Sequence, residues 1–147
     1  MKHLLRSLPV YLLIILFVYA PVSKLLAPGE FLGQLYNQPF PHWAADVLFY
    51  ALPLIELLAV GLLLSERFRL AGLWLSTGMM LAFTGYVGTV LLHAWPRVPC
   101  SCGGILNRMS WRAHFAFNLA FLLVCATGLL LTYSSRPKPR FRLSRIS

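Results

Sequence analysis

Cys100 and Cys102 stand one residue apart, and Gly103 and Gly104 follow them. Two thiols this close join only through a small, strained ring, and strained disulfides are the reducible, reactive ones. Such a ring closes almost no chain, so it adds little stability and suits exchange better than bracing. Pro99 stiffens the approach, and the glycines let another backbone come close. The preferred chemistry is thiol–disulfide exchange with Cys100 and Cys102 as the catalytic pair. Two other readings stay open. One is a pair of packed thiols. The other is a metal set of Cys100, Cys102, His93 and His114, although that spacing matches no standard zinc pattern. Cys125, the remaining cysteine, stands among apolar residues and reads as packing.

Four more residues could handle protons or hold a cofactor. Glu56 lies near the middle of an apolar stretch, three residues after Pro53, and an ionisable group at such depth is a functional candidate by default. Lys24 is its nearest cationic partner along the chain. Ideal helices place the two at depths about 12 Å apart, so pairing calls for tilt or a Pro21 kink. The alternative for Lys24 is snorkelling to the headgroups, and for Glu56 a hydrogen bond between helices without chemistry. His114 and Asn118 are spaced i, i+4 and share a helix face. That face could bind a quinone carbonyl or make ordinary inter-helix bonds, with the structural reading slightly favoured. Ser110 is placed to cap the helix that carries them.

Four apolar stretches must position these groups: about residues 8–27, 44–64, 70–92 and 113–133. Each can cross a hydrocarbon core of about 30 Å as a helix rising about 1.5 Å per residue. The composition agrees, with 147 residues, 59% hydrophobic and only 12% charged. Mean hydropathy is +0.71, too high for a soluble enzyme, a disordered tail or a secreted disulfide scaffold. Strands of an outer-membrane barrel would alternate apolar and polar residues, and these stretches do not. The expected fold is all-α, an integral membrane four-helix bundle over residues 1–133 with a basic tail over 134–147. Pro9 is expected at the helix start, where its missing N–H costs nothing. Pro21 and Pro53 are expected to kink their spans. Gly72, Gly78, Gly85 and Gly88 in the third span suit close helix packing. Met79 and Met80 read as core or lipid-facing, and Trp95 and Trp111 as interfacial anchors.

The net charge of +9 follows the loops. Lys2, Arg6, Arg67, Arg69, Arg136, Lys138, Arg140, Arg142 and Arg145 fall on one side of the four spans, and Lys24, Arg97, Arg108 and Arg112 on the other. The richer side should be cytoplasmic, which puts both termini inside and the cysteine loop on the periplasmic side of a bacterial inner membrane. Anionic lipid, rather than nucleic acid, is the partner this charge implies. Lys2 and Arg6 before an apolar run would also suit a signal peptide. No small-x-small cleavage site follows, however, and the first span is expected to be retained.

The residues together resemble the MauE and DoxX-like redox-associated membrane proteins, MauE more closely. The likeness runs from about Tyr11 to Leu130. It is carried by Val-Ser-Lys24-Leu, Leu-Pro53-Leu-Ile-Glu56, Pro99-Cys100-Ser-Cys102-Gly103-Gly104, and Ser110-Trp111 with His114 and Asn118. It implies a four-helix membrane protein linked to thiol chemistry. MauE is associated with maturation of the disulfide-rich small subunit of methylamine dehydrogenase, beside a thioredoxin-like partner. An exported thioredoxin-like or cysteine-containing partner is therefore expected here. The wider likeness is to membrane thiol oxidoreductases of the vitamin K epoxide reductase and DsbB kind. Those use a second, shuttle cysteine pair, which this chain lacks. A quinone, if used, must meet Cys100 and Cys102 directly or through a partner's relay. The competing functions are a non-enzymatic membrane assembly factor and a metal-handling membrane protein.

Overall fold

The computed structural model describes residues 2–94 and 110–134. Cys100 and Cys102 lie outside the described residues, as do the 134–147 tail beyond Ser134 and the anchor Trp95. The elements are α1 (Lys2–Leu26), α2 (Pro28–Tyr36), α3 (His42–Leu64), α4 (Arg69–Leu91) and α5 (Trp111–Ser134). All elements among the described residues are helical. Four of the five are long and apolar enough to span a bilayer: Ser7–Leu26 within α1, then α3, α4 and α5. In lipid the backbone must satisfy its own hydrogen bonds, and a helix does this within one segment.

The spans pack as a ring in which α1 contacts α3, α3 contacts α4, α4 contacts α5, and α5 returns to α1. Leu13 and Phe17 of α1, Ala59 and Leu63 of α3, Leu73 and Met80 of α4, and Cys125 of α5 fill its centre. The first span is thus part of the core, and Cys125 is the buried packing residue expected. Met79 and Met80 are core as well.

Three expectations need correction. First, α1 begins at Lys2, so Pro9 lies inside the helix with Pro21 rather than at its start. Second, the first inter-span connection is not all loop, because α2 occupies it. Pro28 at N1 is pre-set for helix, and Glu30 in the first turn favours the positive end of the dipole. Phe31 and Leu35, one turn apart, pack on Ala45, Phe40, Leu48 and Leu52. The Phe31 and Phe49 rings stack at 5.6 Å between centroids. Third, the glycines of α4 divide. Gly72 is a close approach, since an added Cβ would sit 2.8 Å from the Leu63 nitrogen. Gly88 faces Phe115, but Gly78 and Gly85 have no described atom within 4 Å of that position, so neither serves packing within the bundle.

The Gly72 contact yields a prediction. Backbone cannot swing aside as a side-chain tip can, so Gly72→Ala should push α4 off the end of α3 at a cost of about 1–3 kcal/mol. Gly128→Ala should cost less, because its one severe contact, at 2.9 Å, is with a Leu73 methyl that can turn, and Pro9 Cβ stands off at 3.4 Å. Thermal unfolding of the two variants in one detergent checks the order.

α4 stops in a Schellman motif. The Ala94 N–H bonds the Thr89 carbonyl and the His93 N–H bonds that of Val90, both at 3.1 Å. His93 takes the left-handed position of this motif, with φ 54°. Glycine is the usual residue there, although histidine is among the side chains that tolerate it.

Candidate functional site

A cavity of about 390 Å³ opens between the helices. Its walls come from the second half of α1, from α2 and the turn after it, from α3 as far as Glu56, the second half of α4 and the first half of α5. All of these share one end of the ring, because the spanning helices alternate in direction. Phe17, Phe31, Phe83, Phe117 and Trp111 put ring faces on walls that are otherwise mostly aliphatic. Lys24, Glu56, His114 and Asn118, the four residues singled out for proton or cofactor contact, all line it.

Lys24 Nζ donates to Glu56 Oε1 across α1 and α3. The depth difference expected for straight helices is closed by side-chain direction. In a helix the Cα–Cβ bond tilts toward the N-terminus. α1 and α3 run in opposite directions, so Lys24 reaches into the bundle and Glu56 reaches back toward it. The snorkelling reading of Lys24 therefore fails. The ammonium also lies 5.7 Å from the centroid of the Phe31 ring, so α2 covers the pair from above. Glu56 is 1% exposed, and its second oxygen, Oε2, has no hydrogen-bond partner among the described residues.

α5 brings the other two. Ser110 caps it as expected, its Oγ accepting the Ala113 N–H at 3.2 Å. The His114 ring lies nearly parallel to that of Trp111 (15° between planes, centroids 6.3 Å apart). Asn118 is 4% exposed. The His114 Nδ1 and the Asn118 Nδ2 are buried without a hydrogen-bond partner among the described residues. No described residue pairs with these two atoms or with Glu56 Oε2, so among the described residues they make none of the inter-helix bonds weighed for this face.

Two polar residues of the site escaped the sequence reading. Gln38, 2% exposed, donates to the Gln34 carbonyl at 2.9 Å and accepts from the Tyr86 hydroxyl. It ties the end of α2 to α4. Near it, the Tyr36 hydroxyl donates to Asp46 Oδ1 at 2.6 Å, linking α2 to the start of α3. That hydrogen bond would be lost by the phenolate, which holds the Tyr36 pKa above its ordinary value. The available signal was weak. Tyr86 sits on the cavity side of α4, but Gln38 stands in a Pro- and Asn-containing stretch that reads as a turn.

No group of three or more His, Cys, Asp or Glu side chains placed to hold a metal occurs among the described residues, which do not include Cys100 or Cys102.

Fold and site together define a multi-pass membrane protein with a buried ion pair at an apolar cavity. Residues 1–131 match the family described as methylamine utilisation protein MauE, and the chain belongs to that family. Membership suggests a membrane protein related to methylamine utilisation. No curated protein and no solved structure gives a significant match.

Proposed function

We propose that this protein is a membrane thiol–disulfide redox protein of the MauE type. Its Cys100–Cys102 pair works on the periplasmic side of a bacterial inner membrane, with both termini in the cytoplasm. It supports the oxidation or maturation of an exported thioredoxin-like or cysteine-containing partner. In the exchange, a partner thiolate attacks one sulfur of the Cys100–Cys102 disulfide and displaces the other as a thiolate. A second partner thiol then attacks the mixed disulfide. The partner leaves with a new disulfide, and Cys100 and Cys102 keep the two electrons.

One observation carries this reading. The cysteine segment joins the bundle between Ala94 and Ser110, at the end of the ring where the cavity gathers Lys24, Glu56, His114 and Asn118. A pair tethered there has proton-handling groups within the same end of the fold. Cys125 is fully buried in the core and supplies no second pair.

The test is the thiol state of the pair in intact cells. A membrane-impermeant maleimide is applied with and without prior reduction, and additions are counted by mass, with Cys125→Ser in the background. Two additions only after reduction are expected. Two additions without reduction would favour a reductase or metal-handling role. No labelling in either state would overturn the proposed placement of the loop.

A further inference from the structure

We propose that the cavity is a binding site for the ring of a lipid-soluble quinone, with Glu56, His114 and Asn118 as its polar contacts. The reading of the cysteines as a redox pair supplies the electron donor, but the site itself is argued without them.

The cavity volume falls within the range of about 300–1,000 Å³ usual for small-molecule pockets. Its position inside a ring of spanning helices calls for a ligand that dissolves in the bilayer. A plain acyl tail would suit apolar walls, but it would leave three buried polar atoms unpaired. Each would then bear a desolvation penalty with no return. A ligand that pairs them must carry more than one oxygen. Among the apolar walls, Phe17, Phe31, Phe83, Phe117 and Trp111 offer ring faces, which favour a flat ring.

The types of the three atoms narrow the class further. The Asn118 Nδ2 only donates, and so needs an acceptor. A carboxyl group accepts as a carboxylate and donates as an acid, and an imidazole nitrogen accepts or donates according to its tautomer. Glu56 and His114 can thus follow a ligand oxygen that is a carbonyl in one state and a hydroxyl in the other. Quinone and quinol are that pair. Lys24 on the other oxygen of Glu56 fixes that carboxyl group at the edge of the ligand site.

Joined to the thiol reading, the step balances. The Cys100 and Cys102 thiols give up two electrons and two protons and form the S–S bond. The quinone takes both electrons, its two carbonyl oxygens take the two protons, and a quinol results. No shuttle pair is needed, which suits a chain whose remaining cysteine is buried in the core.

The experiment titrates decylubiquinone into the full-length protein in nanodiscs and follows quenching of tryptophan emission, since Trp111 lines the cavity. Saturable quenching is expected. Asn118→Leu, which removes one donor at similar volume, should weaken binding about 10-fold. Ala20→Phe, which narrows the cavity without replacing any of the three polar residues, should abolish it, and is a second test should the Asn118 variant misfold. Farnesol, a tail without the ring, should not compete. Equal quenching in the wild type and both variants, or full competition by farnesol, would overturn the site. The Cys100→Ser/Cys102→Ser protein should bind as the wild type does but form no quinol when a dithiol is supplied. Binding without quinol formation by the wild type would overturn the thiol reading and leave the site standing.

Discussion

Lys24→Ala should destabilise the bundle by about 3–5 kcal/mol, the usual cost of leaving one partner of a buried ion pair alone. The cause is not the lost attraction by itself. Glu56 is 1% exposed, and Oε1 would join Oε2 in having no partner. At 1% exposure neither oxygen would be freely solvated. The double variant Lys24→Met/Glu56→Leu removes both charges at similar volume. It should recover most of the loss, because a well-packed apolar pair often equals a buried ion pair in stability. Unfolding in mixed micelles, run on the wild type, the single variant and the double variant, checks both statements. A single-variant cost near zero would mean that the pair is not closed in the bilayer. Recovery in the double variant would separate stability from function, because that protein should fold yet lack the carboxyl group at the cavity.

Replacing both Cys100 and Cys102 by serine should abolish oxidation of the partner while leaving insertion and unfolding temperature unchanged. The expected effect is total, because the exchange forms covalent bonds at these sulfurs and serine cannot replace them. Either single serine variant should fail in the same way, because one sulfur alone cannot form the disulfide that the partner thiolate attacks. Partner oxidation that persists in the double variant would favour an assembly factor in which the cysteines have no redox part. Cys125→Ser is the control. It should alter packing alone, since this thiol lies at the centre of the core.

Much of this architecture is legible in the sequence, and the physical reason differs from element to element. The spans are plain because lipid demands long unbroken apolar helices, and the helical bounds fall close to those read from hydropathy. Ser110 is readable because a cap is a local device. α2 is not plain. Two glycines and flanking prolines make its segment look like a turn, while its Phe31 and Leu35 face finds meaning only against α3. The Lys24–Glu56 pair sits between these cases. Both residues stand out, but a depth count on straight axes ignores the tilt of each side chain toward its own N-terminus. The Gln38–Tyr86 link is invisible, since it joins segments 48 residues apart with no pattern at either end. Gly78 and Gly85 carry the opposite lesson. A stripe of small residues records what a helix permits, not what it touches.

The ion pair also bears on how the protein is made. Lys24 and Glu56 are 32 residues apart, and they belong to different spans that leave the ribosome in turn. Until α3 arrives, α1 carries a cation with no partner. Near the end of its span that cation costs less than the about 2.5–3.5 kcal/mol of a charge at the bilayer centre, but it gains a partner only with α3. The first span is therefore cheapest to hold at the translocon, or high in the membrane, until the acidic span can join it. Insertion of α1 and α3 becomes one coupled event, and a ribosome that stalled between them would leave a half-made protein marked by an unneutralised lysine.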